Sequence, residues 1–173
     1  MINPFKKTYT EREYNIFVFL ANMRLFSELN YKQMAHFIPH LHERTYEKDE
    51  VVFFRNDPSH ALYLLRKGEV SLNIDINDTF EHLTEIKAGN ALGESCLLKK
   101  AKRQLNAIVS SEKAEFYVIP QENIFSIFED NIKIKSKMLE ALAEIYNEYN
   151  TSLFSEYRAA SGFFNLQLVY RKD

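Results

Sequence analysis

The chain has 173 residues, 46% of them hydrophobic and 27% charged, with 14 Phe, 10 Tyr and no Trp; that suits one ordinary domain with an aromatic-rich core and excludes disorder as its main state. A net charge of −2 excludes a molecule drawn as a whole to DNA or anionic lipid. A lone cysteine, Cys96, excludes an internal disulfide and suits a reducing cytoplasm.

In chain order, Met1–Thr10 lacks the apolar stretch of a secretion signal, and no apolar run approaches about 18 residues, so no membrane span is expected. Thr10-Glu11-Arg12-Glu13 has the form of a capping box, and Tyr14, Phe17, Val18, Leu20 and Ala21 then suit an amphipathic helix. Asn30-Tyr31-Lys32-Gln33 repeats the signal ahead of Met34, Phe37, Ile38 and Leu41, and Pro39 ends or bends that stretch. Two short helices therefore open the chain.

From about Arg44 the texture changes to short β-branched and aromatic runs separated by turn signals. They are Val51–Phe54, Leu62–Leu65, Val70–Ile76, Phe80–Ile86, Leu105–Val109 and Phe116–Ile119, with Asn77-Asp78 as the turn between the third and fourth. Many short strands at regular spacing predict a sandwich, barrel or roll of antiparallel strands. Pro120 opens a further helical pattern through Ile124, Phe125 and Phe128, and a longer one begins near Ile132. Met138, Leu142, Ile145, Tyr149 and Leu153 follow at spacings of 4, 3, 4 and 4, close to a heptad seam, which predicts either packing on the same chain or an intersubunit coil. The tail from Ser161, with Phe164, Leu166, Leu168 and Tyr170 alternating, reads as an added strand or a flexible end.

One segment carries chemistry. In Ala91-Leu92-Gly93-Glu94-Ser95-Cys96-Leu97-Leu98 a Gly-Glu pair leads from a strand into one helical turn, where unpaired backbone N–H groups make an anion site. Lys99-Lys100-Ala101-Lys102-Arg103 follows; such a run is ordinarily a solvated loop, but beside that turn it offers a phosphate cradle. Glu94 cannot pair with phosphate, whereas it can accept hydrogen bonds from a sugar hydroxyl next to one.

These pieces resemble the cyclic nucleotide-binding domain of the catabolite activator and protein kinase A regulatory families. The matching series is Leu25-Phe26-Ser27-Glu28-Leu29, Asp49–Phe53, Asn56-Asp57-Pro58 through Ala61–Leu64, Lys67-Gly68-Glu69-Val70, Ala88-Gly89-Asn90, Gly93-Glu94 and Val118-Ile119-Pro120. The resemblance implies a mainly β fold: a jelly-roll-like antiparallel β-roll, or double-stranded β-helix, with N-terminal helices and a long C-terminal helix. It implies that Glu94 holds a ribose 2′-hydroxyl, that the Cys96 amide faces a cyclic phosphate, and that an arginine after the variable loop grips the phosphate oxygens with its planar fork. The expected ligand-binding residues are Gly93, Glu94, Ser95, Cys96, Arg103, Gln104, Leu105 and Asn106. Counting back from Val118-Ile119-Pro120 puts Gln104, not Arg103, at the arginine's place, and Arg103 needs one extra residue, absorbed by a bulge, to reach it. Leu105 and Asn106 stand where a hydroxyl and a small residue would let phosphate approach, so the cassette reads as degenerate. Tyr146 and Tyr149 are lid candidates by position.

The expected domain plan is an N-terminal helix over 1–24, the roll over 25–128, a long helix over 129–158 with a possible dimer interface, and a tail over 159–173. The expected function is a non-catalytic cytoplasmic sensor or regulatory module, with cyclic AMP or cyclic GMP as its ligand, no cofactor, no metal and a homodimeric state. A dimeric interaction module that no longer binds nucleotide is the alternative. A cupin-like metalloenzyme is the second, since His40-Leu41-His42 and Glu47 superficially match cupin spacing; solvated histidines are the plainer reading. Only 13 residues follow Ala160, too few for a DNA-reading helix-turn-helix. Cys96, with no histidine nearby, reads as a packed residue rather than a nucleophile.

Overall fold

The computed structural model describes residues 9–76 and 79–161. The Asn77-Asp78 turn and the alternating tail at 162–173 lie outside the described residues.

Local signals start the helices. At α1 (Glu11–Ala21) the Glu13 amide donates to Thr10 Oγ1 at 3.2 Å and the Thr10 amide donates back to the Glu13 carboxylate at 2.7 Å. Asn30 and Gln33 make the same exchange at α2 (Tyr31–Met34), so donors that a helix start leaves orphaned are satisfied reciprocally. Pro39 sits in a 3-10 turn, Ile38–His40, which delivers the chain to the first strand.

Eight strands follow: β1 (His42–Glu47), β2 (Val51–Phe53), β3 (Ala61–Lys67), β4 (Glu69–Ile76), β5 (Thr79–Lys87), β6 (Ala91–Leu92), β7 (Asn106–Val109) and β8 (Lys113–Pro120). They form two antiparallel four-stranded sheets, ordered β1-β8-β3-β6 and β2-β7-β4-β5. Residue pattern predicts the strand before Gly93, which is β6, but not β1. The latter, His-Glu-Arg-Thr-Tyr-Glu, is exposed and has almost no apolar signal; continuous pairing with β8, from His42↔Val118 to Glu47↔Lys113, makes it a strand.

β3 separates two cores by simple alternation. Leu62 and Leu64 face the helices and join Phe17, Leu20, Phe26, Phe37, Ile119 and Ile124, all without exposed surface. Leu65 faces into the roll with Val70, Ala107, Val109, Ala114 and Phe116, equally buried.

After β8 come α3 (Gln121–Asp130) and α4 (Ile132–Ser161), separated at Asn131, whose backbone is extended. The expected single seam along α4 is divided. Met138, Leu142 and Ile145 belong to the chain's own core, while Tyr149 and Leu153 are exposed, so the first three cannot also face a second subunit. Two polar ties fix this helix against the N-terminal segment. Lys137 Nζ donates to the Glu28 carbonyl at 2.6 Å, and Arg24 forks onto Glu148 at 2.6 and 2.7 Å. Among the described residues no helix is long and apolar enough to cross a membrane.

Candidate functional site

The short strand β6 ends at Gly93, whose φ of +77° lies in the left-handed region and turns the chain into a 3-10 turn, Glu94–Leu97. Glycine is needed here for space as well as conformation, because a Cβ at this position would overlap Arg103 Nη1.

Arg103 is only 4% exposed, and its side chain enters the turn. Nη1 donates to the Gly93 carbonyl at 3.1 Å and Nη2 to the Ala61 carbonyl at 2.7 Å. The guanidinium carbon lies 4.2 Å from the centroid of the Phe53 ring and 5.6 Å from that of Tyr63. Nε is buried and has no hydrogen-bond partner. Its backbone is held as firmly. The Arg103 amide donates to the Asp57 carbonyl at 2.8 Å and its carbonyl accepts from the Asn56 amide at 2.9 Å, with Asn56 itself at φ +69°. Burial lowers the guanidinium's pKa, against the pull of Cys96, Tyr63, Glu94 and Asp57, but arginine starts so far above neutrality that it stays charged.

A bend at Gln104-Leu105, between Arg103 and β7, takes up the extra residue, and β2 shifts register between Val51 and Phe53 opposite β7. Arg103 points inward. Gln104 is exposed, and its Nε2 donates to the Lys102 carbonyl at 3.3 Å. Leu105 is half-buried at the bend.

Asn106 departs from expectation. It is buried, but Ala107 is the residue that β7 turns into the roll; Asn106 lies opposite Asn73 on β4. Its Oδ1 accepts from the Arg55 amide at 2.8 Å and its Nδ2 donates to Asp75 at 3.2 Å.

Within the turn, Ser95 Oγ and Ser59 Oγ are 2.9 Å apart. The Cys96 amide, expected to face a phosphate, donates to the Gly93 carbonyl at 3.0 Å, as a 3-10 turn requires. The Cys96 side chain is fully buried, and burial pushes its thiol up to about 12, which leaves it inert as a nucleophile. Burial also raises the Glu94 carboxyl above the usual range, opposed by its own amide, the charge of Arg103 and the Gly93 amide. Gln121, the first residue of α3, pins the turn to that helix. Its Nε2 donates to the Cys96 carbonyl at 2.6 Å and the Leu98 carbonyl at 3.2 Å, while its amide donates to the His60 carbonyl at 2.7 Å.

Two tyrosines of α4, Tyr146 and Tyr149, have ring centroids 6.3 Å apart. The Tyr146 phenol is pushed up to about 12, first by burial and then by the charges of Glu94 and Cys96; Tyr149 is raised by burial and Glu94. Lys99, Lys100 and Lys102 remain exposed on the loop. His42 and Glu47 fall at opposite ends of β1, and no group of three metal-binding side chains gathers among the described residues. A crevice of about 630 Å³ between α1 and the roll, floored by Tyr117, lies apart from the turn, and Glu43 spans it with ion pairs to Arg12 and Arg66, both 3.2 Å.

Comparison with known proteins agrees with this fold. The model of the family described as cyclic nucleotide-binding domain matches residues 43–131. A Rhodopseudomonas palustris protein described as a potassium channel protein is 29% identical over 102 residues, 58% of this chain and 24% of its own. The catabolite activator protein of Thermus thermophilus superposes with a TM-score of 0.64 at 21% identity, over 75% of this chain and 61% of that one. The regulatory domain of Toxoplasma gondii PKA with cAMP gives 0.63 at 20% identity, over 70% and 46%. The chain thus spans less than two thirds of each of these relatives.

Proposed function

Since the chain belongs to the cyclic nucleotide-binding domain family, we propose that it is a regulatory module that takes cyclic AMP or cyclic GMP at the Gly93–Cys96 turn and acts by binding rather than catalysis. One observation carries this reading: the Arg103 guanidinium enters that turn despite the one-residue slip in its neighbourhood. Arg103 supplies the fork for phosphate oxygens, Glu94 accepts from the ribose hydroxyl, and Tyr146 and Tyr149 cover the base. A reducing cytoplasm suits the lone buried thiol.

Ligand that binds only the folded state at 100 times Kd stabilises it by about 2.7 kcal/mol. For a domain of this size each kcal/mol moves the midpoint by about 2–4 °C, so cyclic nucleotide should raise the melting temperature by about 5–10 °C. A native protein unmoved by millimolar cyclic AMP and cyclic GMP refutes the receptor reading.

A second reading, a dimeric interaction module, draws on α4. Tyr149 is 50% and Leu153 66% exposed on one face beyond the core-bound half. If that face joins two copies, Leu153→Glu yields folded monomers in sedimentation. Leu142→Glu with Ile145→Glu unfolds the protein instead, because both are core residues. A native protein that sediments as a monomer at tens of micromolar removes this reading.

A further inference from the structure

Arg103, as it stands, presents almost no surface to a ligand. Its side chain is almost wholly buried, Nη1 and Nη2 each donate to a backbone carbonyl, and Nε is sealed from solvent without a partner. The face of the guanidinium is covered by the Phe53 ring at 4.2 Å. No carboxylate touches it: it feels the charges of Glu94 and Asp57 but makes no ion pair among the described residues, and its hydrogen-bond partners are the neutral dipoles of Gly93 and Ala61. The orphaned Nε shows that these partners do not complete its donor set.

We infer that Phe53 and the Ala61 and Gly93 carbonyls form a latch, with Phe53 as the positioning residue. They hold Arg103 in a closed arrangement that must open before the site can take an anion. This rests on the receptor reading above. Closure and ligand binding compete for one guanidinium, so whatever stabilises the closed form weakens apparent affinity by the fraction of molecules it keeps closed. The stack on Phe53 is the adjustable part, because the carbonyls belong to the backbone. An aromatic face attracts a partly desolvated guanidinium enough to shift such an equilibrium about fivefold.

The test uses the whole chain, with cyclic AMP as the probe, and compares native protein with Phe53→Leu and Phe53→Met, which keep an apolar side chain and remove the ring's face. Ligand-free melting identifies a variant that fails to fold. Two quantities are read: the affinity for cyclic AMP, and water exchange of the Arg103 Nε–H, assigned by its loss in Arg103→Lys. The latch requires cyclic AMP to bind the folded variants about fivefold more tightly and the Nε–H to exchange faster than in the native protein by a similar factor, about fivefold. Measurable native affinity with no gain in either folded variant overturns the latch alone, as does an unchanged exchange rate. If neither native nor variant binds at millimolar cyclic AMP, the receptor reading fails and the latch falls with it. Binding by a variant where the native protein shows none supports both.

Discussion

Two arginines on neighbouring loops are satisfied in opposite ways. Arg55 lies at the surface and forks onto Asp75, Nε to Oδ1 at 2.6 Å and Nη2 to Oδ2 at 2.7 Å, with Asn106 closing the network. Arg103 is buried, faces two carbonyls and a ring, and keeps Nε unpartnered. A cation matched by a carboxylate needs nothing more and reads as structural. A cation taken out of water against neutral dipoles leaves a local demand for negative charge, which an incoming phosphate can meet.

The largest effect that could break this contrast is on ligand response. The expected rise of about 5–10 °C with cyclic nucleotide should vanish in Arg103→Ala and Glu94→Ala and persist in Arg55→Ala and Lys100→Ala, all measured by melting. A response lost equally with Arg55 would mean that the two arginines are not functionally distinct.

Next in size is the backbone beneath each arginine. Gly93 and Asn56 both have positive φ, but only Gly93 lies where a Cβ would strike a guanidinium. Gly93→Ala should cost at least about 1–2 kcal/mol, or about 2–8 °C, and should also abolish the ligand response. Asn56→Gly, which places the freer residue in the same conformation, should leave both nearly unchanged.

The smallest effects lie in pH dependence, and they should have opposite signs. The Glu94 carboxyl is raised in the folded protein, so the folded state holds its proton more tightly than the unfolded chain. Stability is therefore lost as pH rises from the ordinary carboxyl value through the raised one. Asp75 is lowered, chiefly by its hydrogen bonds from Arg55, so its stabilisation is full above the ordinary value and is lost as pH falls toward the folded one. In melting curves between pH 3 and 7, Glu94→Gln should remove the first slope and gain a little stability near neutrality. Asp75→Asn should remove the second slope at the expense of a small loss there, modest because the pair is exposed. Slopes of the same sign would contradict the assignment.

Much of this was legible beforehand. Both capping boxes, the Gly93-Glu94 turn and every strand but β1 stand where residue pattern predicts them, since each depends on contacts within a few residues. β1 was hidden because its signal belongs to β8, the strand that pairs with it. Phe53 and Gln121 were missed as site residues because each is an ordinary member of its own element. Phe53 matters only through a ring contact 50 positions along the chain, and Gln121 through carbonyls on a separate turn.

By itself the sequence determined the class of fold and the Gly-Glu turn that follows a strand, with Arg103 and Gln104 left as rivals for one place beside it. Composition, alternation and capping are local properties, and they survive without knowledge of partners. Only the tertiary structure decided that Arg103 rather than Gln104 turns inward, that Asn106 serves the Arg55–Asp75 pair, and that Leu142 and Ile145 belong to the chain's own core. Each of those outcomes is a choice between two faces. At a loop margin, or along a helix apolar on more than one side, the face is chosen by the strands and helices that pack there, not by the residue's neighbours in sequence.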